Sequence, residues 1–449
     1  MRATAPAQAS TRGRHTPPWG GRGLLVALIG LLLANCVKEP TGPPATYITF
    51  RTQPSHSTAG VIMAPVAVAA RDADGKIATS FRGDVTLAIA SNPAGGTLSG
   101  TATVAAVDGV ATFDDLSIDN AGTGYRLTAT TGDFAPVTSS RFDVLGGVPV
   151  GLAFTVAPST VRAGNVFSPV VQVSAVDALG NRSDGYTGAI TVTITAGTGA
   201  AGAGLLGTTT VTASAGVATF STLGLNLVGT AYTLTATAAG LNTGTSGAFD
   251  VIPGTASQLV FTVQPTNVTA GEPIAPAVVV VARDAYGNHA TDYTGNVTMD
   301  LTAGIGPPDA NLFGTRTVTA AGGVATFSAL SVNRSGSGYT LSVRASGLTG
   351  SLSGQFDVAA AAVTQIVFSA QPQTSAAGAI LPPVLVAARD SLGNTVTAFT
   401  DAVTLTIGVN AGGGSLAGTT TVVAVAGVAT FADLSIDKTG SGYRLDATA

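Results

Sequence analysis

Short apolar alternations, each stopped by a proline or glycine, run along the chain from about residue 46 onward. Tyr47–Thr52 alternates and stops before Pro54. The same figure returns as Leu152–Val156, Leu259–Val263 and Ile366–Ala370, before Pro158, Pro265 and Pro372. A glycine follows each of them (Gly60, Gly164, Gly271, Gly378). The next run, Val66-x-Val68-x-Ala70, recurs as Val171/Val173/Ala175, Val278/Val280/Ala282 and Val384/Val386/Ala388. A period of two places these residues on one face of a strand, and so in a core. Further on come Val85/Leu87, Ile190/Val192, Val297/Met299 and Val403/Leu405, then a segment of variable length that reads as a surface loop. After it, the string Gly-Val-Ala-Thr-Phe begins at Gly109, Gly216, Gly323 and Gly427, in steps of 107, 107 and 104 residues. A shared period of this size means one module repeated, each copy large enough to bury its own core.

Two polar markers keep the same register. An aspartate closes the valine run in each copy: Asp72, Asp177, Asp284 and Asp390. It precedes the tight turns ADGK, ALGN, AYGN and SLGN. These aspartates share the parity of the core face, and a carboxylate there can accept N–H bonds from the turn. A tyrosine follows each Gly-Val-Ala-Thr-Phe string in the element Gly-x-x-Tyr-x-Leu: Tyr125, Tyr232, Tyr339 and Tyr443. The first three copies close with Phe-Asp-Val at Phe142, Phe249 and Phe356. Six residues follow Tyr443, against 19 from Tyr339 to Val358, so the fourth copy is expected to lack its final strand.

Seven or so short strands per copy predict an all-β chain of tandem β-sandwiches. The expected organisation is a signal peptide over 1–35, a tether over 36–45, and repeats over 46–147, 148–254, 255–361 and 362–449. The tyrosine element resembles the tyrosine corner of immunoglobulin domains, with Leu where antibodies place Cys. The Val-rich strand ending in Asp-x-x-Gly-Asn, followed by Gly-Val-Ala-Thr-Phe and Gly-x-x-Tyr-x-Leu, resembles the bacterial immunoglobulin-like repeats of invasin- and intimin-type surface proteins. That resemblance spans residues 46–449. It implies immunoglobulin-like folds and an extracellular stalk or adhesion role. The second copy departs from it, with Val176 where the others have Arg71, Arg283 and Arg389.

The amino terminus reads as an address. Residues 1–22 are basic and free of acids, and Gly23–Asn35 is an apolar run too short to span a bilayer comfortably. Leu33-Ala34-Asn35-Cys36 resembles a bacterial lipoprotein signal, although Asn35 stands where Gly, Ala or Ser is usual. The resemblance implies that Cys36, the sole cysteine, is lipidated and anchors the chain in the bacterial envelope, at the outer membrane or cell surface.

Composition removes other functions. Four of the 20 basic residues and none of the 24 acidic ones precede Cys36, so residues 36–449 carry eight more acids than bases. An acidic chain without a basic stripe is a poor nucleic-acid binder. His15, His56 and His289 occupy non-equivalent places, and no catalytic arrangement recurs. The chain is therefore expected to be no enzyme and to hold no cofactor or metal. Asp72-Ala73-Asp74-Gly75 superficially resembles a calcium loop, but no glutamate closes it and the other copies lack the second acid. Asp114, Asp115, Asp119, Asp433 and Asp437 read as solvated loop residues. Tyr286, at a turn tip, is the one ring expected to be exposed for a contact. The best reading is a monomeric envelope stalk or spacer, held to the membrane by its lipid. Its alternatives are a module that binds a glycan or envelope protein through the variable loops, or a stalk fragment of a longer surface protein.

Overall fold

Alternating Val/Ala strands bounded by Gly and Pro have one stable arrangement, two sheets packed on their apolar faces. The computed structural model describes residues 42–132, 134–302 and 306–449, and every regular element among them is a β-strand. The expected signal segment, Cys36 and most of the tether lie outside these residues. The buried apolar side chains gather into four separate clusters, one in each repeat.

Repeat three illustrates the unit. Gln258–Val263 pairs antiparallel with Val278–Arg283, which pairs with Val324–Phe327. Facing them, Thr317–Thr319, Asn296–Leu301 and Leu341–Ala345 form the other layer, and in this repeat Leu348–Leu352 joins the two layers by pairing with Leu341–Ala345 and, through Thr349, with Gln258. The register places Val280 opposite Phe261 and Ala325, so the alternating residues meet on one face. A bulge between Phe261 and Val263 ends the first strand just before Pro265, and equivalent bulges stand in the other repeats. The irregularity lets the chain leave one sheet and start the other.

The strands are more divided than the seven expected. Repeat three contains twelve pieces, several only two residues long. The division arises where the chain switches sheets. Gly336–Tyr339 pairs with the closing strand Phe356–Ala359, whereas Leu341–Ala345, one residue later, pairs with Asn296–Leu301.

The Gly-Val-Ala-Thr-Phe glycine has a steric cause. It is the second residue of a two-residue hairpin, in which Val107 bonds Val110 in both directions and both turn residues have positive φ. A Cβ on Gly323 would lie 2.4 Å from the carbonyl oxygen of Ala290. Only glycine satisfies both constraints.

Candidate functional site: the joints between repeats

The buried aspartates and tyrosines occupy opposite ends of a repeat, and consecutive repeats bring them together. The turn after each valine strand is held by its aspartate. Asp284 Oδ1 accepts the N–H groups of Tyr286 and Asn288, both at 2.9 Å. Asp177 and Asp390 hold their turns the same way. The side chain is buried in each copy, down to 0% exposure at Asp390.

The second carboxylate oxygen acts across the joint. Asp177 Oδ2 accepts the N–H of Gly147 at 2.8 Å, Asp284 Oδ2 that of Gly254 at 2.9 Å, and Asp390 Oδ2 that of Ala361 at 3.0 Å. Each donor lies in the linker entering that repeat. Burial opposes ionisation of Asp177 and Asp390, but the N–H donors outweigh it and hold both carboxyls below the usual aspartate value.

The asparagine ending the turn reaches the preceding repeat. Asn288 donates from Nδ2 to the carbonyl of Asn226 at 2.8 Å and accepts the N–H of Val228 at 3.1 Å. Asn181 makes the same pair with Asp119 and Ala121, both at 2.8 Å. Asn394 does so with Asn333 and Ser335, at 3.0 and 3.1 Å. One amide thus satisfies an acceptor and a donor two residues apart, as a strand neighbour would. Its Nδ2 also donates to the aspartate Oδ2, which locks the amide orientation.

The tyrosine fixes the loop that the asparagine grips. Tyr125 donates to the carbonyl of Asn120, Tyr232 to Leu227 and Tyr339 to Arg334, at 2.9, 2.9 and 3.0 Å. Each acceptor is the central residue of the gripped three-residue segment. Burial pushes the Tyr125 and Tyr339 hydroxyls above the usual tyrosine value, so both remain donors at ordinary pH. The two markers therefore belong to one bonding chain: tyrosine of one repeat, shared loop, asparagine and aspartate of the next.

Apolar contact completes the joint. A Cβ on Gly60 would fall 2.7 Å from Leu179, on Gly164 2.4 Å from the Tyr286 ring, and on Gly271 3.1 Å from Leu392. The turn tip of each repeat therefore rests on the glycine corner of the one before. Tyr286 is 42% exposed, and one edge of its ring is engaged with repeat two. At that joint Arg162 also pairs with Asp292 at 2.7 Å. Both partners are about half exposed, so this pair contributes little.

Repeat one differs. Asp72 accepts the N–H groups of Asp74 and Lys76, but Lys76 stands where the later copies have asparagine. Arg71, Arg283 and Arg389 brace their turns by donating to the carbonyls of Gly75, Gly287 and Gly393; Val176 leaves repeat two without that brace.

No group of three or more His, Cys, Asp or Glu side chains gathers among the described residues. Four of the acids singled out in copies one and four, Asp115, Asp119, Asp433 and Asp437, are loop caps. Asp115 accepts from the hydroxyl and N–H of Thr101, and Asp433 from the N–H and hydroxyl of Thr419; these bonds hold both carboxyls below their usual value. Asp119 and Asp437 accept the N–H groups of Thr97 and Ser415. The variable loops also have a structural duty: a Cβ on Gly199 or Gly306 would overlap the ring of Tyr232 or Tyr339, so each loop lays a glycine on a buried tyrosine.

No protein-family model matches the chain, and no characterised protein matches it by sequence. Among solved structures it is similar to invasin, an integrin-binding bacterial protein, at 13% identity over 89% of this chain and 78% of that one, with a TM-score of 0.28. It is similar to InvD of Yersinia pseudotuberculosis at 14% identity over 69% and 97%, with a TM-score of 0.29. It also matches PorU of Porphyromonas gingivalis at 14% identity and a TM-score of 0.19, covering 71% of this chain and 34% of PorU. Overall superpositions this loose carry no argument about function, and the assignment of the chain as tandem all-β sandwiches rests on its own strand pairing.

Proposed function

We propose that this protein is a non-enzymatic stalk of the bacterial cell envelope, anchored through a lipidated Cys36, whose repeats hold a distal element at a set distance from the membrane. The observation that supports it is the Asp–Asn clamp, present with the same partners at all three joints. A chain of flexibly tethered binding modules has no need of a buried side chain spent on each joint; a spacer does. The clamp uses one loop at the far end of a repeat and one turn at the near end of the next, so the joints propagate in a single direction.

The test is small-angle scattering on the Cys36→Ser protein. A strand of this kind makes each sandwich roughly 40 Å long, so four in line predict a maximum dimension of about 150 Å with the profile of a stiff rod. A broad distribution of much shorter dimensions would refute the spacer. The anchor is tested separately, by mass spectrometry of the amino-terminal peptide from membrane fractions, which should begin at an acylated Cys36.

A further inference from the structure

Tension on a stalk enters a repeat at its near end, through the first strand, and leaves at its far end, through the closing strand. In repeats one to three these two ends of the chain are joined directly. The closing strand runs parallel to the short piece that continues the first strand: Ser57–Thr58, Val161–Arg162 or Val268–Thr269. Ala59, Ala163 or Ala270 adds a bond to the carbonyl of Leu145, Ile252 or Ala359, at 2.8 to 2.9 Å. A pull drives these parallel strands past each other along their axes, so every bond between them is strained together. A hairpin pulled from its open end loses its bonds one at a time.

Two repeats extend this contact with side chains. In repeat three Gln264 Oε1 accepts the N–H of Gly354 at 2.9 Å, and Asn267 Oδ1 that of Asp357 at 2.7 Å. In repeat one Gln53 Oε1 accepts the N–H of Ser140 at 2.8 Å, and His56 Nδ1 that of Asp143 at 2.9 Å. The first acceptor stands just before the proline that ends the first strand, and the second stands two residues after it. Repeat two keeps the proline, Pro158, but has Ala157 and Thr160 at these positions. Alanine has no polar side chain, and Thr160 makes no such bond among the described residues. The first strand does not restore the balance. It is tied to the other layer by the same kind of parallel bridge in both repeats, Gly151 to Asn242 and Gln258 to Thr349.

We propose that these repeats carry tension in shear, and that repeat two is the weak member, which opens first and lengthens the stalk while repeats one and three stay folded. Opening one unit of this period would add on the order of 300 Å of extended chain. The function rests on the stalk reading, because tension reaches the chain only when its ends are held apart. The ranking of the repeats rests on the bonds alone.

The experiment is stretching of the whole chain at constant force. One handle is the thiol of Cys36, kept free by producing the chain without export. The other is Ala362→Cys, at an exposed residue of the linker after repeat three, so that repeats one to three lie between the handles. Opening under force follows the unfolding rate. We expect one early step and two later ones. Gln264→Ala with Asn267→Ala should bring one later step forward roughly tenfold in time, the loss of two exposed hydrogen bonds at the low end of their usual worth. Ala157→Gln with Thr160→Asn should delay the early step. Unchanged step lengths would show that the altered repeats are folded. Three steps of equal lifetime overturn the proposal, as does an early step that the repeat-two changes leave in place. A flexible scattering profile would remove the stalk and leave these lifetimes standing, so the two failures are distinct.

Discussion

Replacing Asn288 by Ala isolates what a single clamp contributes. The change removes two hydrogen bonds between repeats two and three, to the carbonyl of Asn226 and the N–H of Val228, and one within the turn, to Asp284. The turn keeps its backbone bonds to the aspartate, because Asp284 Oδ1 still accepts the N–H groups of residues 286 and 288. With about 1 kcal/mol for each of the two bonds across the joint, closure should lose about 2 kcal/mol. At 1.4 kcal/mol per factor of ten, the ratio of closed to open joint falls about 30-fold. Hydrogen exchange reads this ratio directly, since the N–H of Val228 is one of the groups released. The peptide covering 224–230 should exchange about 30-fold faster, while the core strand Val278–Arg283 keeps its rate. The scattering profile should broaden about that one joint. Unchanged exchange at 224–230 together with an unchanged profile would show that the linker and the Tyr286 contact close the joint without the amide. Faster exchange throughout repeat three would show instead that Asn288 supports the fold and not the joint.

Three further outcomes follow from the same geometry. Gly164→Ala places a methyl 2.4 Å from the Tyr286 ring at a φ of +85°, so it should open the joint between repeats two and three and cost about 1 kcal/mol in urea melts of repeat two; an unaltered scattering profile would refute the contact. Tyr339→Phe removes the bond to Arg334 and should cost roughly 1 kcal/mol, together with faster exchange at 333–335, and a neutral melt would remove the corner's role. Folding depresses the Asp177 and Asp390 carboxyls, so their contribution is full above the ordinary value of 3.8 and is lost as pH falls through and below it. Scattering from neutral pH down to about 3 should show the first and third joints loosening before the cores melt, whereas joints that stay rigid until global unfolding would contradict this.

Much of the fold was legible because a strand writes its burial in a period of two. Val278, Val280 and Ala282 are each at most 1% exposed, as their alternation requires. The strand count was less legible, since a sheet switch such as that at Thr340 leaves no composition signal. The aspartates were readable as turn caps because the N–H groups they bind lie two and four residues away. Their second oxygen was not readable, because its partner lies about 30 residues upstream in a linker whose sequence differs at every joint. The edge contact of the Tyr286 ring was not readable for the same reason: its neighbour Gly164 belongs to another repeat.

The asparagine shows what signal was available. Period and polarity mark positions 181, 288 and 394 only as turn ends, and Asn is common at turn ends for local reasons. A local reason, however, applies equally to all four copies. Repeat one makes the same turn with the same aspartate bonds, yet carries Lys76 there. The turn itself therefore does not require asparagine. What separates repeat one from the others is that no sandwich precedes it among the described residues, and a carboxamide that offers a donor and an acceptor together is needed only where another repeat presents both. A residue that varies with a copy's place in the array, and not with its internal structure, points to the neighbour. By the same logic the glycine corners at Gly60, Gly164 and Gly271 serve the repeat that follows them.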